Sequence, residues 1–532
     1  MPFGPKSPLK ALLLSAFLST TALAASAQTV LRLDEVAVGE LDPAKASDYA
    51  DSILMFNAYD TLVLPAQGEP GHVPHLATEW TADGNVYTFT LRDDVKFHSG
   101  NPLTAEDVVF SIDRMKALGQ GLSFLFEIVE SAEAVDPRTV RVTLTEPYAP
   151  FIASLVRLPV VDKATVMANL GEGEGEMGDW GQGYLSANDA GSGAYIVQSH
   201  NPQEETVFAK NSDYFLGVPE AAPDEVRLRY GLEAATVRAL LAQSEHDITS
   251  QWLPPEVLKS MSNDGAHFLQ ESGTGAFYIK MNTQKPPLDD VNCRLALASA
   301  FDYATAIAIT QITPEVAGGV PSTGAIPVGM LGSKPRENGA LARDMDAARE
   351  HLAQCQYNPA DYTIELSWVA EVPVEERFAL LMQQNFSELG FNTEIVRVPW
   401  VLFTEQVVSP ETTPHISQIF ANAVTGDPDT LLYPMYHSSV AGTWQSPEYL
   451  NDPEVDRLLD AGRTAATQEE REAAYLELND RLMALAPTIY GFDRNSVFGA
   501  SPRVHVSALE DPSKAFALDT MGFTFRLMEM TE

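Results

Sequence analysis

The chain reads as a mixed α/β protein of several domains, and three observations predict this. Its 532 residues correspond to about three domains at roughly 150 residues each. Segments alternating apolar and polar residues at every second position, as strands do, are interleaved with segments that open on a capping residue and continue at helical spacing. Hydrophobic residues make up 45% and charged residues 20%, which is enough apolar material for large cores and too much for wholesale disorder.

The elements follow in order. Val86, Thr88 and Thr90 alternate with Tyr87, Phe89 and Leu91 after an Asp83-Gly84 turn, predicting a strand within 84–98. Thr104, with an acid three residues on at Asp107, predicts a helix start. Asp136-Pro137 makes a turn before a strand over 139–144. Residues 171–183 are a glycine-acid stretch that reads as a solvated loop; their spacing does not match a calcium-binding EF-hand loop. Residues 224–250 read as strand, helix from Glu233 to Ser244, then a short strand. A helix is expected over 289–309, a Gly- and Pro-rich loop or linker over 312–335, and a helix over 343–354. A strand over 363–368 precedes a helix over 375–389 closed by Gly390, then a strand over 393–398. Asn451-Asp452-Pro453 and the Thr467–Glu470 capping box open two further helices.

Charge and cysteine content exclude several classes. Thirty-four basic against 73 acidic residues give a formal charge of −39. This argues against nucleic acid, whose phosphates need clustered cations, and against docking to an anionic membrane surface. Two cysteines exclude a disulfide-dense scaffold and a four-cysteine zinc site. Cys293 and Cys355 are an even pair, so one disulfide is compatible with an oxidising compartment, and the sequence leaves their pairing open.

The first residues set that compartment. Lys6 and Lys10 form a basic region, residues 11–18 an apolar one, and Ala25-Ser26-Ala27 a small-x-small cleavage site. Residues 1–27 therefore read as a secretory signal peptide, with a mature start at Gln28. The apolar run is shorter than the roughly 20 residues that span a bilayer. There is no Arg-Arg pair for twin-arginine export and no Cys before Cys293 for lipidation. The expected product is free and soluble in the periplasm.

Catalytic and cofactor motifs are missing. The sequence has no Gly-x-Ser-x-Gly elbow, no His-Glu-x-x-His, no Walker loop and no Gly-x-Gly-x-x-Gly opening a helix. His72 and His75 flank a Pro without a helix to aim both rings at one metal, so no metal and no cofactor are expected. Asp427-Pro428-Asp429 follows an apolar run over 416–424. Such a pair can meet a cationic or hydroxylated ligand, or form a Pro turn in which Asp429 caps a helix. Tyr49, Trp252, Tyr278, Trp400, Phe403, Phe420 and Trp444 lie in or beside loops. Aromatic faces of this kind cover ligands in clefts, and they also pack in cores.

Several segments resemble one family: the extracytoplasmic solute-binding proteins of ABC importers, family 5, which includes dipeptide-, oligopeptide-, glutathione- and nickel-binding members. The most specific match begins at Ala77-Thr78-Glu79-Trp80 and runs through TADGNVYTFTLRDDVKFHSGNPLTAEDVVFSIDRM to Met115. Leu41-Asp42-Pro43-Ala44, Gly191-Ser192-Gly193-Ala194-Tyr195, Met281-Asn282-Thr283 and the stretch 451–459 also match. The resemblance implies a bilobed periplasmic-binding-protein fold, type II, cluster C, with an extra domain. One lobe would be 28–65, 190–275 and 490–532, the inserted domain 66–189, and the second lobe 276–489. A monomer would close around a small-molecule or short-peptide ligand by hinge motion and present it to permease subunits in the inner membrane, without catalysis.

In peptide-binding members an Asp three positions before the Asp-Pro pair holds the peptide α-ammonium. The resemblance places Val424 there, and an apolar side chain cannot pair a buried ammonium. The expected ligand site comprises the seven aromatics together with Val424, Asp427 and Asp429. A peptide-like solute is the leading expectation. A modified peptide such as glutathione, an oligosaccharide and a metal chelate stay open beside it. The rival from another class is a secreted glycoside hydrolase working through Asp427 and Asp429.

Overall fold

The computed structural model describes residues 1, 4, 28–35, 39–69, 71–335 and 339–531. The signal-peptide features at Lys6, Lys10, 11–18 and Ala25 to Ala27 lie outside the described residues.

A four-stranded sheet is ordered Val30–Glu35, Glu225–Tyr230, Glu205–Lys210, Tyr195–Asn201. Its first pair is parallel and the rest antiparallel. Alternation sends Leu31, Leu33, Val226 and Leu228 inward. They meet Ile53 and Leu54 of the helix Tyr49–Ala58, which opens with a capping box between Asp48 and Asp51. The same core takes Phe523, Phe525 and Met528 from the far end of the chain.

A second core lies largely between residues 66 and 189. The antiparallel sheet Ala77–Asp83, Val86–Leu91, Thr139–Leu144, Val129–Asp136 is covered by the helix Ala105–Leu118. Thr104 and Asp107 cap that helix reciprocally, as their spacing predicts. Val108, Ile112 and Met115 pack with Phe89, Val140 and Val142. The 171–183 stretch is a loop gathered around Asp179, whose carboxylate accepts N–H bonds from Gly171, Gly181 and Gly183 at 2.7–2.8 Å.

The largest sheet has six strands, ordered Gly319–Val320, Thr488–Ala500, His267–Met281, Ile416–Asn422, Thr363–Val369, Asn392–Val398. Strand alternation divides two cores between its faces. Phe277, Ile279 and Met281 join Phe378 and Phe386 of the helix Val374–Ser387 on one side. Ala276 and Tyr278 join Leu478 and Leu482 of the helix Gln468–Leu485 on the other.

Three expectations change here, the first being the short strand at the end of 224–250, which is reduced to isolated bridges at Ile248. The single helix over 289–309 is two helices, Val291–Ala300 and Tyr303–Ile309. Asp302 breaks it because its carboxylate accepts from the Thr305 N–H at 3.0 Å and starts the second helix. The 312–335 linker is not wholly irregular: Gly319–Val320 pairs with Arg494 and Asp493 as an edge strand.

Cys293 and Cys355 are joined by a disulfide with a Cα–Cα distance of 5.0 Å. It ties the helix Val291–Ala300 to the segment after Met345–Leu352. Replacing both cysteines with Ser removes a cross-link across 62 positions and should cost about 2–4 kcal/mol of stability. The loss would be read as a lower urea midpoint, and an unchanged midpoint would refute it.

Candidate functional site

Two strands are far longer than the rest: His267–Met281 and Thr488–Ala500, paired antiparallel along their length. Each runs from the core of the four-stranded sheet into the two cores of the six-stranded sheet. Leu269, Phe498 and Ala500 sit in the core of the four-stranded sheet, while Phe277, Ile279, Ile489 and Phe492 sit in one core of the six-stranded sheet and Tyr278 and Tyr490 in the other. The pairing slips between these ends, where Ser272 faces Asn495 but Ala276 faces Asp493.

Polar side chains collect at this slip. The buried Glu271 carboxylate accepts from the Tyr49 hydroxyl and the Thr520 N–H, both at 2.8 Å. Asn422 donates to Asp519 at 2.6 Å. Arg494 donates to Gln251 and lies 5.0 Å from the Trp252 ring. Arg157 reaches the Val424 carbonyl at 2.5 Å and the Ser52 hydroxyl at 2.8 Å. Burial, reinforced by the charge of Asp519, pushes the Glu271 carboxyl up to about 8. Burial pulls the Arg157 guanidinium down to about 10.

A cleft of about 640 Å³, within the usual size range of ligand pockets, opens between other segments, and of the site residues expected from sequence only Asp427 lines it. Trp80, Tyr87 and Tyr148 come from one wall, Met330, the 425–428 turn and Arg471 from the other. Gly426 carries φ +74°, and a Cβ there would stand 2.3 Å from the Ala517 carbonyl oxygen. Only glycine lets the turn lie against that segment. Arg471 grips Asp427 through two hydrogen bonds of 2.8 and 2.6 Å. Arg463 donates to Asp429 at 2.7 Å, and the Tyr148 hydroxyl donates to the same carboxylate at 2.8 Å. Both carboxylates are thus engaged by arginine, and Asp429 also begins the helix Asp429–Tyr436.

Residues 71–443 match the family model described as bacterial extracellular solute-binding proteins, family 5 middle. The chain belongs to this family. It is a transport-linked solute-binding protein and not an enzyme. It is 25% identical over 465 residues to the probable D,D-dipeptide-binding periplasmic protein DdpA of Escherichia coli K12, covering 86% of each chain. It is 27% identical over 482 residues to heme-binding protein A of Haemophilus influenzae, covering 84% of this chain and 83% of that one. Its fold is similar to that of the ABC transporter-associated periplasmic binding protein DppA from Helicobacter pylori in complex with peptide STSA. The TM-score is 0.72 at 23% identity, over 95% of this chain and 99% of the other. Among the described residues no helix is long and apolar enough to cross a membrane.

Within this family member, the aromatics singled out from sequence fall into different settings. Tyr49 is half-buried at the slip, and Trp252 is 50% exposed beside it. Tyr278 and Phe403 face no opening. Strand alternation turns Tyr278 into the core, where its hydroxyl bonds the Ala325 carbonyl, and Phe403 packs in the same cluster. Phe420 is half-buried against Phe277 at 4.9 Å. Trp400 and Trp444 meet edge to face at 5.3 Å, both half-buried. Val424 packs partly against the core of the 66–189 segment. His72 and His75 diverge: His72 borders the cleft, while His75 bonds the buried Asp60 at 2.7 Å. Among the described residues the one group of three metal-ligating side chains is Asp290, Cys293 and Cys355, and two of its atoms are the bonded sulfurs.

Sequence reasoning missed Arg157, Glu271, Arg471, Arg494 and Asp519. No local motif marks them, because their partners are remote: Arg471 and Asp427 are 44 positions apart, Tyr49 and Glu271 222.

Two measurements check this electrostatic layout. Arg471→Ala leaves Asp427 buried without its cation and should cost about 3–5 kcal/mol, while the double change Arg471→Met with Asp427→Leu should cost clearly less. Equal losses in the two variants would contradict the pairing. In the unfolded chain Glu271 ionises near the ordinary value of about 4.3, and in the folded chain near about 8. The folded state therefore holds the extra proton between about pH 5 and about pH 8, and this group's contribution falls as pH rises through that window. Glu271→Gln should flatten the decline of urea midpoints over that range, and an identical slope would refute the assignment.

Proposed function

We propose that this chain is exported by its first 27 residues, remains unlipidated in the periplasm, and captures a peptide or peptide-like solute for ABC importer permease subunits. The single observation that carries the reading is the pair of crossing strands. The core of the four-stranded sheet and the two cores of the six-stranded sheet are joined there by two continuous strands, and buried polar groups meet at their slip. That is the layout of a hinge. The division we infer is 28–65, 190–275 and 490–532 for one lobe, 276–489 for the other, and 66–189 for a domain inserted in the first. The protein acts as a monomer.

Trp252, Phe420, Val424, Trp400 and Trp444 keep accessible surface and are the members of the expected set we assign to the solute. Asp427 and Asp429 shape the cleft through their arginines instead of meeting an ammonium. The D,D-dipeptide-binding relative supports a peptide, and the heme-binding relative makes hemin the necessary comparison.

The test is thermal shift of the mature protein against dipeptides, tripeptides, glutathione, oligosaccharides and hemin. Small-angle scattering with and without each hit follows. A ligand at about 100 times its Kd adds about 2.7 kcal/mol to stability, and closure should shrink the radius of gyration. A peptide that stabilises the protein, compacts it and is recovered unchanged supports the reading. Stabilisation by hemin or an oligosaccharide alone overturns the peptide assignment. No stabilisation by any class overturns solute capture as proposed.

A further inference from the structure

The cleft between the 66–189 segment and the 425–471 segment has a chemistry that narrows the solute class. Its walls carry large apolar faces: Trp80 and Tyr87 on the antiparallel sheet, Ile152 behind them, and Met330 and Pro428 opposite. The charges that border it cancel locally. Asp427 and Arg471 satisfy one another, and the remaining Arg471 Nε–H donates to the Gly462 carbonyl at 2.9 Å. Burial holds the His72 imidazole below its ordinary value, so the ring is neutral at pH 7. The Tyr148 hydroxyl is spent on Asp429. A charged group entering this space would lose water and meet no free counter-ion, whereas an apolar group would gain from leaving water.

The wall is also composite. The Ala149 N–H donates to the Arg463 carbonyl at 2.7 Å, and the Tyr148 hydroxyl to Asp429 at 2.8 Å. These contacts join the 66–189 segment to the 425–471 segment along one edge of the cleft. Neither segment encloses the space alone.

We propose that this cleft is a subsite for an uncharged apolar or aromatic side chain of the captured solute, built jointly by the inserted domain and the second lobe. The proposal rests on the peptide reading above. It gives the inserted domain a direct part in choosing the solute.

The test uses calorimetric titration of the full mature protein with tripeptides. Phe, Ala, Asp or Lys is placed at each position in turn, with free and acetylated N-termini. Ala82 is exposed on the cleft rim, so Ala82→Trp fills the space without disturbing a core. Gln468→Trp, exposed on the opposite wall, is the second filling variant should the first fail to fold. Phe at one position should bind at least about tenfold tighter than Asp or Lys there, as expected for burying one large side chain. Filling should remove about tenfold or more of the Phe affinity and leave the all-Ala peptide within about twofold. Peptide binding with no preference for Phe, or a preference that both filled variants retain, overturns the subsite while the peptide reading stands. Binding of no peptide by the unmodified protein overturns the two together.

Discussion

The backbone pairing of His267–Met281 with Thr488–Ala500 holds the molecule together as one object. Hydrogen bonds run from one core to another along two adjacent strands, so neither core can rotate away without bending that ribbon. The ribbon has two neighbouring irregularities, the slip between Ser272 and Ala276 and a second between Phe277 and Tyr278, where the ladder of paired groups is locally interrupted. Stiffness on each side and irregularity between them confine bending to a few residues. Polar groups gather beside the slip: the Tyr49 hydroxyl and the Thr520 N–H satisfy the Glu271 carboxylate of the ribbon itself, while Arg157 and Asn422 bond the neighbouring Val424 carbonyl and Asp519.

A strongly acidic chain with scarce arginines spends them selectively. Arg471 and Arg463 are placed on two adjacent buried aspartates, and this decides what the Asp427-Pro428-Asp429 turn can do. A pair of free carboxylates would invite a cation or act as an acid and base. A pair already neutralised forms a rigid, electrically quiet corner. The hydrolase reading depended on free carboxylates at this turn, and with both engaged by arginine it loses its chemistry at the place it was assigned.

Much of the local structure was legible in the sequence. The Thr104–Asp107 and Thr467–Glu470 boxes mark real helix starts, and the alternation around Phe89 and Val140 marks real strands, because these signals involve residues within a few positions of one another. The two crossing strands were not read, since residues buried on both faces lose the alternation that reveals a strand. The site was legible only in part. Residue type identified aromatics, but core and cleft use the same aromatics, so Tyr278 and Trp252 looked alike until the fold separated them. Glu271 and Arg471 are ordinary charged residues in sequence, and only long-range contacts give them a role.

The first core takes Leu31 and Leu33 from one end of the polypeptide and Phe523, Phe525 and Met528 from the other. During synthesis the early strand meets Ile53 and Leu54 first, and its core lacks its remaining members until residues 523–528 have followed. That core therefore closes late, after residues 66–189 and 276–489 have already been made. A chain interrupted before residue 523 would leave this core open to water, so its stability is tied to segments separated by almost the whole sequence.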